Sequence, residues 1–158
     1  MEGAAAVKPL TEAELGCWLN FLNAQTSLSR RLDAELVAVH RLSLAEFTVL
    51  QQLVLSGGYL RMSELAETVL LSPSGASRLV DRMVAAGLIE RRPCDLDGRV
   101  TYAAITERGR ARLAEAEPTQ AAALRRLFLD RFSPQELEDI TDLLMRVAPA
   151  CRAWRSGA

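Results

Sequence analysis

The run "LIERRPCDLDGRVTYAAIT", residues 88–106, sets Arg91 and Arg92 ahead of an Asp97-Gly98 pair and Arg99 just after it. Asp-Gly between two strand-like flanks is a turn signal, so "GLIERR" and "VTYAAI" read as paired antiparallel strands with Arg99 near the tip. A guanidinium carried there suits a narrow electronegative channel such as the minor groove of DNA. Asp97, two residues away, can hold that guanidinium in one orientation and reduce the entropy lost on binding. The competing reading is a solvated surface pair of little energetic consequence. Arg91 and Arg92 are candidate phosphate contacts by the same logic, with plain solvated strand arginines as the alternative.

A second charged constellation lies just upstream in "SPSGASRLVDRM". Ser72 suits an N-cap and Pro73 the first helical position. The helix that follows exposes Ser74, Gly75, Ser77, Arg78 and Arg82, and turns Leu79, Val80 and Met83 inward. Short polar side chains let a backbone approach a groove floor, and arginines reach guanine edges or phosphates. An ordinary amphipathic helix explains most of this pattern too, but not Gly75, which weakens the helix interior. A short helix over about residues 63–69 and the turn "LLS" precede it, making a helix-turn-helix pattern.

These residues need elements to hold them. Residues 1–10 read as a frayed tail. Thr11-x-x-Glu14 opens a long helix reaching about Val39, with Leu15, Trp18, Leu19, Leu22, Leu32, Leu36 and Val39 at helical spacing. Ser43-x-x-Glu46 opens a second, ended by Gly57-Gly58, with Phe47, Leu50, Leu53 and Val54 as its buried stripe. "YLRM" is long enough for one bridging strand. Gly87 stops the helix that begins at Pro73. After Thr106 a long helix follows, with Pro118 expected to kink or break it. Ser133-Pro134-x-Glu136 starts a last helix with Leu137, Ile140, Leu143, Leu144 and Val147 on one face. The terminal helices carry apolar faces that the centre cannot cover, which suits pairing with a second copy.

Bulk properties narrow the classes. The 158 residues are 49% hydrophobic and 5% aromatic, which favours one helical domain with a packed core. Net charge is −1, so no bulk attraction to nucleic acid exists. Seven arginines face five acids between residues 71 and 110, so binding would rest on placement rather than total charge. Lys8 is the only lysine among 19 basic residues; arginine suits bidentate contacts, although genome composition explains the bias equally well. Cys17, Cys94 and Cys151 lack the spacing of a metal site or a disulfide framework, and no cofactor motif is present. The start "MEGAAAVKPL" is not a signal peptide and no run is long enough to span a membrane, so a reduced, cytoplasmic protein is expected.

Together "LSLAEFTVLQQL", "MSELAETVLLSPSGASRLVDRMVAAGLIERR", "DGR" and "AAITERGR" resemble the MarR family of winged-helix transcription regulators, over roughly Trp18–Val147. The resemblance implies a mainly α fold with a small β wing. The winged helix-turn-helix would occupy residues 43–106, and the helices of 11–40 and 107–152 would form a dimer platform within a single unit, 11–158. It implies a homodimer on double-stranded DNA. The helix from Pro73 would enter the major groove and Arg99 the adjacent minor groove, over a pseudo-palindromic operator. The family pattern places two aspartates three apart before the wing arginine. Here Cys94 takes the first place, and Asp97 and Arg99 keep the others.

The family's sensing functions imply two further expectations. A small aromatic or phenolic ligand between platform and DNA-binding lobe would involve Trp18, Asn20, His40, Arg41 and Phe47, candidates by location, against a dimer-core role for Trp18 and a loop or helix-end role for His40. Oxidant sensing would use Cys17, although the second helix offers Phe47 where a tyrosine would help. A winged-helix module that binds protein instead of DNA is the third alternative; the Ser-rich helix start and Arg99 favour DNA. One histidine, no phosphate loop and no paired carboxylates argue against an enzyme.

Overall fold

The computed structural model describes residues 8–68, 73–93 and 100–147. Three of its helices begin with the same local device. In α1 (Glu12–His40) the Thr11 N–H donates to Glu14 Oε2 at 2.7 Å, and the Glu14 N–H donates back to Thr11 Oγ1 at 3.3 Å. Ser43 and Glu46 do the same for α2 (Leu44–Leu55), as do Ser133 and Glu136 ahead of α6 (Pro134–Val147). Each box satisfies two donors that a helix start would leave open. Donation from the Thr11 backbone and hydroxyl holds the Glu14 carboxyl below its ordinary range, and Ser133 does so for Glu136.

Between these helices the chain forms β1 (Tyr59–Arg61), α3 (Met62–Thr68), α4 (Pro73–Ala85), β2 (Ile89–Pro93), β3 (Thr101–Ile105) and α5 (Glu107–Leu127). The sheet is antiparallel in the order β1-β3-β2, with Tyr59 opposite Ala104 and Arg91 opposite Ala103. A 3-10 turn, Leu129–Arg131, leads from α5 toward α6. The chain is mostly helical with a three-stranded sheet, the architecture expected from its patterning.

The core gathers under the winged unit. Leu36, Leu42, Phe47, Leu50, Leu53, Leu65, Leu79, Val80, Met83 and Ile89 form one buried cluster with Leu113 and Ala116 of α5. The stripe expected on α2 needs one correction. Val54 is 39% exposed, while Val49 is fully buried. α1, α5 and β3 all pack on α2, so its covered arc runs to Val49 and leaves Val54 outside it. Pro118 also behaves differently from the expectation. α5 continues unbroken across it, packed along α1, and Thr119 Oγ1 meets His40 Nε2 at 2.8 Å beside it.

The terminal helices are far less covered. Leu32 and Leu36 of α1 are buried, but Leu15, Trp18, Leu19, Phe21 and Leu22 are exposed. α6 buries no residue at all; Leu143 is 56% exposed and Val147 81%. Val39, assigned to the α1 stripe, is also exposed. No helix among the described residues is long and apolar enough to cross a membrane.

Candidate nucleic-acid interface

α4 is sharply two-faced. Ala76, Leu79, Val80 and Met83 are buried, whereas Ser74, Arg78, Asp81 and Arg82 are exposed and Gly75 and Ser77 half-buried. Residues 74, 78 and 82 follow one another at four-residue steps, so they line one outward face. The side chains of Arg78 and Arg82 form no ion pair or hydrogen bond among the described residues. Their guanidiniums are therefore available to an external anion. The helix ends where Gly87, at φ +70°, turns the chain into β2.

The other two arginines singled out are already engaged. Arg91 Nη2 lies 2.9 Å from Asp81 Oδ1 and donates to Ser77 Oγ at 3.5 Å. Arg92 pairs with Glu90 on its own strand, its Nε donating at 2.7 Å. Arg91 is thus a brace between α4 and β2 rather than a free phosphate contact. It also draws Ser77, expected at the DNA face, toward the wing strand. Sequence spacing did not reveal this pair, because ten residues separate its members across a helix–strand joint. Ser72, Cys94, Asp97 and Arg99 lie outside the described residues.

Thr106 fastens the wing to α5. Its hydroxyl accepts from the Gly109 N–H at 3.0 Å and donates to the Gly87 carbonyl at 2.8 Å. Its own N–H donates to the Leu88 carbonyl at 3.1 Å. The Thr-x-x-Gly spacing is therefore a helix cap and a strand-end clamp in one. Glycine is required at 109 because a Cβ there would stand 2.1 Å from the Leu88 carbonyl oxygen.

The five residues proposed for an aromatic ligand do not come together within the chain. Trp18 and Asn20 stand on the exposed half of α1; His40 ends that helix, about 30 Å away at helical rise. Phe47 is 1% exposed, inside the core cluster, because α2 packs its face against the centre of the domain. His40 contacts Thr119, and its carbonyl accepts from Arg112. Arg41 caps α1 in the left-handed conformation. Cys17 is exposed on α1, near the Trp18–Phe21 ring stack. Among the described residues no group of three histidine, cysteine or carboxylate side chains could hold a metal.

A family model for the MarR family matches residues 40–100, which take in α2, the helix-turn-helix and β2. The AbsC structure, a MarR family transcriptional regulator from Streptomyces coelicolor, superposes with a TM-score of 0.82 at 30% identity, covering 92% of this chain and 99% of that one. The chain belongs to the MarR family. Sco3205, a MarR family regulator from the same organism solved in complex with DNA, superposes with a TM-score of 0.83 at 26% identity and covers 94% of each chain. The HTH-type transcriptional regulator MhqR of Bacillus subtilis (strain 168) is 28% identical over 138 residues, 87% of this chain and 93% of that protein. As a MarR family member the chain is a transcriptional regulator and not an enzyme, and the elements expected of a winged helix are those the structure contains.

Proposed function

We propose that the chain acts as a homodimer that binds a pseudo-palindromic operator and represses transcription. Residues 43–106 form the DNA-binding lobe, and 11–40 with 107–152 the dimer platform; 148–152 lie outside the described residues. α4 enters the major groove and Arg99 on the wing enters the adjacent minor groove. The observation that carries this reading is the outward face of α4, where Arg78 and Arg82 stand unpaired among the described residues over a fully apolar inner face. The dimer is supported by the exposed apolar residues of α1 and α6, which form larger patches than isolated surface leucines. Release by a small aromatic or phenolic ligand belongs to the same reading and rests on the family resemblance.

Binding to a duplex from the protein's own upstream region tests it. Arg78→Ala and Arg82→Ala should each weaken binding by about 1–3 kcal/mol. Arg91→Ala and Arg92→Ala should cost less than about 1 kcal/mol, because their charges are compensated by exposed acids. Equal losses at all four positions would refute the division between free and braced arginines.

A further inference from the structure

The register of the three-stranded sheet sorts its side chains onto two faces. Leu60, Ala103, Ile89 and Ile105 point inward and pack on the core. Alternation then sets Tyr59 and Arg61 of β1, Tyr102 and Ala104 of β3, and Glu90 and Arg92 of β2 on the outer face. Two contacts agree with this sorting. The Tyr59 and Tyr102 rings meet edge-on at 5.7 Å, and Arg61 Cζ lies 6.0 Å from the Tyr102 ring centroid. A solvated sheet face ordinarily carries polar residues. This one carries two tyrosines, of which Tyr59 is 57% exposed.

The six residues stand in two rows across the strands. Tyr59, Ala104 and Glu90 form one row; Arg61, Tyr102 and Arg92 form the other. Consider a second copy laid face to face on the first, related by a twofold axis that runs between the rows, perpendicular to the strands. The first row of each copy then lies on the second row of the other. Tyr59 meets an arginine, the small Ala104 meets the bulk of Tyr102, and Glu90 meets Arg92. Every match occurs twice, as a contact between identical surfaces requires. A twofold axis along the strands would instead set Arg61 on Arg92, like charge on like. Charge and side-chain size therefore select one pairing of the face with itself.

We propose that the outer face of the wing sheet is a contact between two copies of this chain, wing on wing and separate from the helical platform. Glu90 and Arg92, already paired within a copy with Nε donating at 2.7 Å, each gain a second partner across the contact. Arg61 over the second copy's Tyr59 adds a cation–ring attraction. Tyrosine and arginine are also the residues that dominate contact energies between proteins. Six side chains a copy fall short of the roughly 800 Å² per partner of a standard interface, so the contact is weak and reversible. With one such face on each protomer of the proposed homodimer, the contact links dimers into open chains, an arrangement suited to neighbouring operators. It uses neither α4 nor DNA, so a failure here and a failure of the operator reading are separately visible.

Sedimentation equilibrium of the intact protein without DNA, from about 1 μM to about 1 mM, tests the contact. The wild-type average mass should rise about twofold or more over that range, from whatever value it holds at the dilute end. Glu90→Arg sets arginine against the second copy's Arg92, and Arg92→Glu sets glutamate against its Glu90, so each variant alone should stay at the dilute mass. An equimolar mixture of the two restores opposite charges at both matches and should recover the rise. That recovery also shows that both variants fold, and a pair acting only within one copy could not produce it. Tyr59→Ser should reduce the rise, because it removes the ring that meets Arg61. A wild-type mass that stays constant, a rise undiminished in Glu90→Arg, Arg92→Glu or Tyr59→Ser, or a mixture that stays at the dilute mass would each overturn the proposal.

Discussion

Gly109→Ala sets two physical effects against each other with opposite signs. Gly109 is the third residue of α5, where alanine would ordinarily favour the helix by up to about 1 kcal/mol. The added Cβ would meet the Leu88 carbonyl oxygen at 2.1 Å and Ile105 Cγ1 at 2.8 Å. The first obstacle is backbone, so no side-chain rotation relieves it. The start of α5 would have to retreat from the end of α4 by roughly 1 Å. That movement stretches the Thr106 N–H bond to Leu88, now 3.1 Å, and the Thr106 hydroxyl bond to Gly87, now 2.8 Å. A lost hydrogen bond costs about 1 kcal/mol, a weakened N-cap about 1 kcal/mol, and forced overpacking about 1–3 kcal/mol. Against the propensity gain, the net loss is about 2–4 kcal/mol, or roughly 5–15 °C in Tm for a chain of this size. Thermal unfolding followed by circular dichroism, at one fixed protomer concentration, measures it. A Tm equal to or above that of the wild type would refute the close-approach argument and leave helix propensity as the dominant effect.

Leu143→Glu should split the proposed dimer, because a charge would replace an exposed leucine at the centre of the uncovered α6 face; light scattering should then report a mass near 17.3 kDa. An unchanged mass would remove α6 from the interface. The lowered Glu14 and Glu136 carboxyls carry a pH signature. Their folded pKa values lie below the unfolded ones, so their stabilising effect is full above the ordinary glutamate value of about 4.3 and fades as pH falls through the depressed values. Amide exchange at the starts of α1 and α6 should accelerate in that acidic window, and Glu14→Gln should remove the pH dependence at α1 alone.

The helix starts were legible because their chemistry is local. Thr11-x-x-Glu14, Ser43-x-x-Glu46 and Ser133-x-x-Glu136 each close within one turn, and Gly87 stops α4 through its own backbone freedom. The inward face of α4 was legible from helical period. What escaped depends on tertiary neighbours. Phe47 looks equally suited to a ligand pocket or a core until α2 is packed, and packing makes it core. Val49 replaces Val54 in the covered arc because several elements, α1, α5 and β3 foremost, lie on α2. Arg91 reads as a free strand arginine until β2 is set against α4 and Asp81 comes within 2.9 Å.

The central claim is that placed arginines, rather than bulk charge, bind DNA phosphates. Affinity for the upstream duplex across a salt series measures it directly. The account predicts retardation as a dimer and a log–log slope clearly below zero, with each phosphate neutralised contributing about −0.9. A slope near zero, or no binding at low salt, would contradict it.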